Sequence, residues 1–397
     1  MKIEQRNPGL LKDVNLYVIF GITLTSIMGV SSIAPALPTI ARSLNVSTDQ
    51  IGLLITFFTI PGIIFTPFLG ILADRYGRKR ILIPSLFLFG IAGTACAFSV
   101  SFEQLLFFRF LQGMGSASLG VINLTLLGDL YNEKDRVTVM GYNGGVLSVG
   151  TALYPAIGGA LAIVGWHYPF FLTLLALPVG IFAAVSLKKV TIDTSLNIGH
   201  YFSQILVAIK SRFVIGLFIS MFLTFLMLYG GYITYFTILL DERFALSALS
   251  IGLLLSSSSL ITAVTSSQLG KLAHRFNEKN LILTASILYG IFFLSIPSIS
   301  NVWMFLIPVS IFGVAQGINI PSILNLITGY AAKEYRAAFL SINWMIMRVG
   351  QALGPYLLGI AYLYYGIDGT FYITTLASLL FILIAIFMIK PGPRPDE

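Results

Sequence analysis

The stretch Gly70-Ile-Leu-Ala-Asp-Arg-Tyr-Gly-Arg-Lys-Arg-Ile81 decides the fold. It gathers Asp74, Arg75, Arg78, Lys79 and Arg80 in a chain where only 10% of residues are charged. Long apolar runs flank it, Ile51 to Leu72 before and Ile81 to Val100 after. Charged side chains are costly inside a bilayer, so the stretch reads as a short aqueous hairpin between two spanning helices. Gly70 permits close helix approach, and Gly77 suits a tight turn with positive φ. A basic loop obeying the positive-inside rule would account for the arginines. It would not account for the ordered pattern of Gly, Asp, Gly and basic residues.

Composition agrees with a membrane protein. Hydrophobic residues make up 56% of the chain and the mean hydropathy is +0.89. A soluble domain carries about 25% charged residues. Apolar runs read against polar interruptions predict twelve spans, near 14–36, 49–73, 81–99, 104–128, 137–164, 168–187, 213–240, 248–270, 281–297, 302–329, 337–364 and 370–389. Of the 24 Lys and Arg, Arg109 and Arg348 fall inside spans and Arg42 and Arg243 on one side, leaving twenty on the other. That bias puts both termini in the cytoplasm. It also explains the net charge of +8 as a membrane address, so no nucleic-acid partner is expected. The single cysteine, Cys96, excludes an internal disulfide, and no metal or cofactor motif is present.

The chain repeats itself. Gly70-Ile-Leu-Ala-Asp-Arg-Tyr has a counterpart in Gly270-Lys-Leu-Ala-His-Arg-Phe, an offset of 200. Gly150-Thr-Ala-Leu-Tyr-Pro155 returns as Gly350-Gln-Ala-Leu-Gly-Pro355 at the same offset, and Gln112-Gly113 as Gln316-Gly317 at 204. Parallel repeats of this kind mark two related bundles about an axis along the membrane normal. The expected organisation is a bundle over residues 1–190, a cytoplasmic linker at 191–211 and a second bundle over 212–397.

The hairpin resembles, position by position, the loop between helices 2 and 3 of the major facilitator superfamily, through Gly70-x-Leu72-Ala73-Asp74-Arg75-x-Gly77-Arg78-Lys79. The resemblance implies an all-α membrane protein with twelve transmembrane helices in two pseudo-symmetric six-helix bundles. It also implies that Asp74 acts in a cytoplasmic latch, with Arg75 and Arg78 anchoring nearby groups. Asp129, at the inner end of span four, is the nearest candidate partner in the same half.

Two further segments carry the likeness. Arg109-Phe-Leu-Gln112-Gly113 resembles the superfamily's second signature, which implies a role for Arg109 in proton coupling or along the substrate route. A guanidinium there either snorkels to the interface or faces a cavity, and the matching motif favours the cavity. Gly141-x8-Gly150-x3-Tyr154-Pro155-x2-Gly158-Gly159 is similar to the signature of the antiporter branches, with Tyr154 where a glycine is usual. Ordinary small-residue packing would use the same glycines.

Arg348 lies about twelve residues beyond Arg336, near the midplane at 1.5 Å per residue. The helical period sets Trp344 and Gln351 on its side. It is either an inter-helix clamp onto carbonyls or a site for an anionic group. No carboxylate lies clearly at the midplane of any span. Asn123, Tyr232, Tyr235, Gln316 and Asn319 are candidates for lining a cavity, although aromatics in spans mostly pack.

By resemblance, the chain is similar to drug/proton antiporters: a monomeric, non-enzymatic secondary transporter exporting small drug-like or amphipathic molecules in exchange for protons. Two alternatives stand beside it. One is an uptake symporter or exchanger for an organic anion, motivated by the two buried arginines. The other is a membrane sensor that keeps the fold without flux.

Overall fold

The computed structural model describes residues 10–187, 211–330 and 336–389, apart from the side chains of Pro67, Ile71, Asp74, Glu133, Lys134, Val137, His274 and residues 336–338. All but the last residue of the predicted linker lies outside this set. The described residues form helices joined by short connections.

Six spans make the first half: α1 (Val14–Ser43), α2 (Leu53–Tyr76), α3 (Arg78–Phe98), α4 (Phe102–Leu130), α5 (Glu133–Val164) and α6 (Tyr168–Ser186). The second half holds α7 (Arg212–Phe244), α8 (Ala248–Ser267), α9 (Glu278–Ser298) and α10 (Val302–Tyr330). It ends in Arg336–Phe387, which is helical on both sides of Gly366. At φ 66° and ψ −171° Gly366 cannot belong to an α-helix, so this stretch is two spans, α11 (336–365) and α12 (367–387).

Polar side chains start the helices where the chain turns back. Ser101 accepts from the Gln104 amide at 3.2 Å, Asn132 from Asp135 at 2.9 Å and Ser247 from Ser250 at 3.2 Å. Each relieves an orphan N–H that a helix start leaves without a partner. In the signature hairpin Gly77 has φ 102° and separates α2 from α3 in a single residue, the turn the sequence calls for.

Pairing repeats between the halves. In the first, α2 packs on α4, α3 on α4 and α6, and α1 on α5. In the second, α8 packs on α10, α9 on α10 and α12, and α7 on α11. Each of these contacts in the first half has its counterpart six helices later. The halves meet through two matched seams, α5 on α8 and α2 on α11.

The seams depend on glycine. A Cβ on Gly252 would collide with the Pro155 carbonyl, and one on Gly159 with the Ala248 carbonyl. On the other seam a Cβ on Gly52 would sit 3.0 Å from Pro355 Cβ and 3.1 Å from its carbonyl oxygen. The repeated prolines therefore seat on glycines of the opposite half. Backbones can approach this closely only because no side chain stands between them.

Candidate functional site

The two ends of the path between the halves differ. At the end carrying Arg42, Arg42 forms an ion pair with Asp241. Thr48 Oγ1 donates to Glu242 Oε1 at 3.1 Å, and Glu242 accepts from the Tyr362 hydroxyl at 3.0 Å. Tyr235 lies beneath, with its hydroxyl 3.4 Å from the Thr48 and Asp49 carbonyls. Further in, Thr56 Oγ1 donates to the Ala352 carbonyl at 2.8 Å, and the Ala156 amide to Ser256 Oγ at 3.1 Å. All inter-half hydrogen bonds among the described residues lie in this part of the molecule.

Toward the signature hairpin no hydrogen bond or ion pair joins the two halves among the described residues. Cβ atoms built on Gly120, Gly128, Gly141, Gly144, Gly145, Gly270 and Gly329 would meet nothing within 4 Å. Gly70 would meet only Val121, at 3.9 Å. The hairpin is instead tied within its own half. Arg78 pairs with Asp129, Lys79 Nζ donates to the Leu187 carbonyl at 3.0 Å, and Arg136 to the Gly128 carbonyl at 2.5 Å. Arg75 is exposed, and the Asp74 side chain is outside the described set.

Arg109 does not line the opening, which corrects the expected cavity position for this conformation. It is 1% exposed. Its Nε donates to the Leu54 carbonyl at 3.1 Å, and Nη1 donates to the Gly29 carbonyl at 2.7 Å and to Gln112 Oε1 at 2.8 Å. The guanidinium also lies over the Phe58 ring, 4.3 Å from its centroid. Inserting arginine at a helix centre costs about 2.5–3.5 kcal/mol on the translocon scale. Charge-assisted hydrogen bonds contribute about 1.5–3 kcal/mol each, so three of them outweigh that cost. Arg109 is a clamp joining α1, α2 and α4. Beside it, Gly113 brings α4 against the Phe58 carbonyl of α2.

Arg348 is different. It is only partly buried, and no hydrogen bond or ion pair joins it to another described residue. The side chain crosses the seam to α2 and lies over Gly62, where a Cβ would come 2.5 Å from Cδ and 2.6 Å from Nη1. Tyr229 of α7 is within its electrostatic reach, in a π-helical stretch running from Met227 to Phe236. Trp344 and Gln351 are also partly buried.

The other cavity candidates are covered here. Tyr232 stacks on Phe312 with centroids 4.1 Å apart, and Tyr235 belongs to the closed end. Asn123, Gln316 and Asn319 are buried between helices of one half. Asn123 Nδ2 donates to Thr23 Oγ1 at 2.6 Å, and Thr23 donates to Asn143 Oδ1 at 2.5 Å. Asn319 Nδ2 donates to Thr224 Oγ1 at 2.7 Å in the second half, where Asn343 is fully buried. Sequence reasoning missed Thr23, Asn143 and Thr224. The recurrence of Asn143 as Asn343 at the repeat offset was the available signal.

The Major Facilitator Superfamily profile matches residues 19–245 and 217–397. The chain belongs to the Major Facilitator Superfamily. Within this superfamily it is similar to the bacillibactin exporter of Bacillus subtilis (strain 168), 27% identical over 86% of this chain and 88% of that one. It is 26% identical to the class B tetracycline resistance protein of Escherichia coli, over 86% of each chain. Multidrug resistance protein 1 of Bacillus subtilis (strain 168) is 24% identical over 88% and 90%. Among solved structures, a D-xylose-proton symporter superposes with TM-score 0.79 at 14% identity, over 95% of this chain and 98% of that one. A bacterial homologue of the human lysosomal transporter Spinster, inward-facing and unoccupied, also gives 0.79 at 15% identity, over 98% and 100%. Such major facilitator proteins span the membrane many times, as the twelve apolar helices of this chain do.

Proposed function

We propose that the protein is a secondary active transporter that moves small drug-like or amphipathic molecules out of the cell in exchange for protons. Residues 1–190 and 212–397 rock against each other about the level of Arg348. The observation that carries this reading is the contrast between the ends of the path. One is closed by inter-half contacts from Arg42–Asp241 to Thr56–Ala352, while at the other no hydrogen bond or ion pair joins the halves among the described residues. Two bundles in that arrangement are one state of an alternating-access cycle.

The basic bias places the open end, with the signature hairpin, in the cytoplasm. In that orientation the protein takes cargo from inside in this state. Export rests on the antiporter-like segment Gly141 to Gly159 and on relatives named as exporters and resistance proteins. No enzymatic step is part of this account.

Flux tests it. Purified protein in proteoliposomes, given a labelled candidate and an imposed pH gradient, should move the compound against the direction of proton flow. Transport with the protons would replace export by uptake. Binding without flux for every candidate would make the protein a sensor.

A further inference from the structure

The two intramembrane arginines differ in one respect that scaffolding does not explain. Arg109 donates three hydrogen bonds, and Arg348 has no partner among the described residues. Among the described residues no carboxylate balances Arg348. The Asp and Glu among the described residues lie at helix ends or in connections. The repeat does not call for a charge at this position either. The equivalent residue in α5 is Ser148, which donates to the Gly144 carbonyl of its own helix at 3.0 Å. The matched positions on either side, Asn143 with Asn343 and Pro155 with Pro355, are unchanged. Arg348 is thus a charge added to one half of a symmetric frame, at the seam where the halves part.

The surroundings leave the guanidinium available. Gly62 is the residue of α2 that lies under it, and any larger side chain there would push it away. A planar guanidinium with free N–H groups matches the two oxygens of a carboxylate or phosphate. Tyr229 adds an aromatic face with a phenol, and Trp344 is one helical turn away on α11. We propose that Arg348 anchors the oxyanion of an amphipathic organic anion, and that the exported cargo is of this class rather than a lipophilic cation. The assignment rests on the export reading above and names its cargo.

The test uses one aromatic scaffold in three charge states, 1-naphthylacetate, 1-naphthyl phosphate and the neutral methyl ester of the first, with ethidium as the cation. Binding to purified protein should be tighter for either anion than for the ester. Arg348→Lys keeps the charge but loses the fork, and should weaken anion binding about tenfold or more. Gly62→Ala keeps Arg348 but displaces it, and should weaken the anions in the same order. The ester should bind all variants alike. Anion binding that is absent in the parent, or equal in the parent and Arg348→Lys, overturns the assignment. Export of ethidium unaffected by Arg348→Lys, with no anion binding, leaves the export reading standing and removes the anion site. Arg348-dependent anion binding without flux does the reverse.

Discussion

Arg42 and Asp241 form an ion pair between the two halves, at the end of the path that is closed. Arg42 is 62% exposed and Asp241 15%. A pair of that kind contributes about 0.2–1 kcal/mol. The seams beneath it, Pro155 on Gly252 and Pro355 on Gly52, exclude any side chain and hold the end shut more firmly. Asp241→Asn should therefore raise opening at this end no more than about fivefold. The readout is maleimide labelling of Thr56→Cys in a Cys96→Ala background, since Thr56 is buried while the end is closed. A rise of two orders of magnitude would make the ion pair the main lock.

Gly252→Val should act more severely. Its side chain would meet backbone at the Pro155 carbonyl, which cannot rotate aside. Overpacking of this sort costs about 1–3 kcal/mol, here charged only against the state in which this end is closed. Transport should fall by about tenfold while membrane insertion is unchanged. Parent-like flux would show that the seam opens or shifts at little cost.

The two arginines make a paired prediction. Arg109→Leu removes the hydrogen bonds to the Gly29 and Leu54 carbonyls and to Gln112 Oε1, and should destabilise the protein by about 2–5 kcal/mol. Arg348→Leu removes a charge that has no partner among the described residues, so the melting temperature should hold or rise. Thermal unfolding of both variants in detergent, beside the parent, gives the comparison. Equal losses would mean that Arg348 is also a clamp.

Much of this was legible beforehand because bilayer thickness and the cost of buried charge act on sequence directly. The twelve spans follow from apolar length, and the turn at Gly77 from the residue type that tolerates positive φ. The internal offset of 200 announces the paired seams. The fate of Arg109 was not legible. Snorkelling, facing a cavity and clamping carbonyls all suit one arginine in an apolar helix, and only the positions of Gly29, Leu54 and Gln112 choose between them. Tyr232 and Tyr235 likewise read as cavity residues, yet one packs on Phe312 and the other closes the Arg42 end. Helical period tells which side of a helix they occupy, not which neighbour covers it.

For Asp74 the expectation comes from the motif. Asp74→Asn should insert normally and transport slowly, through loss of the cytoplasmic latch in the outward-open state. Asp129→Asn, which removes the Arg78–Asp129 ion pair, should lower transport in the same direction. Flux assays normalised to protein in the membrane decide it, and normal rates in a well-expressed Asp74→Asn variant remove the latch.

In the proposed cycle the Arg42 end opens and closes for cargo to pass. Thr48 and Glu242 bond across that end, 3.1 Å between Oγ1 and Oε1. Cysteines at these two positions, in a Cys96→Ala background, can be joined by a short reducible bis-thiosulfonate reagent. Complete cross-linking should stop flux in proteoliposomes, and dithiothreitol should restore it. Flux continuing at the parent rate through a fully cross-linked sample would contradict it.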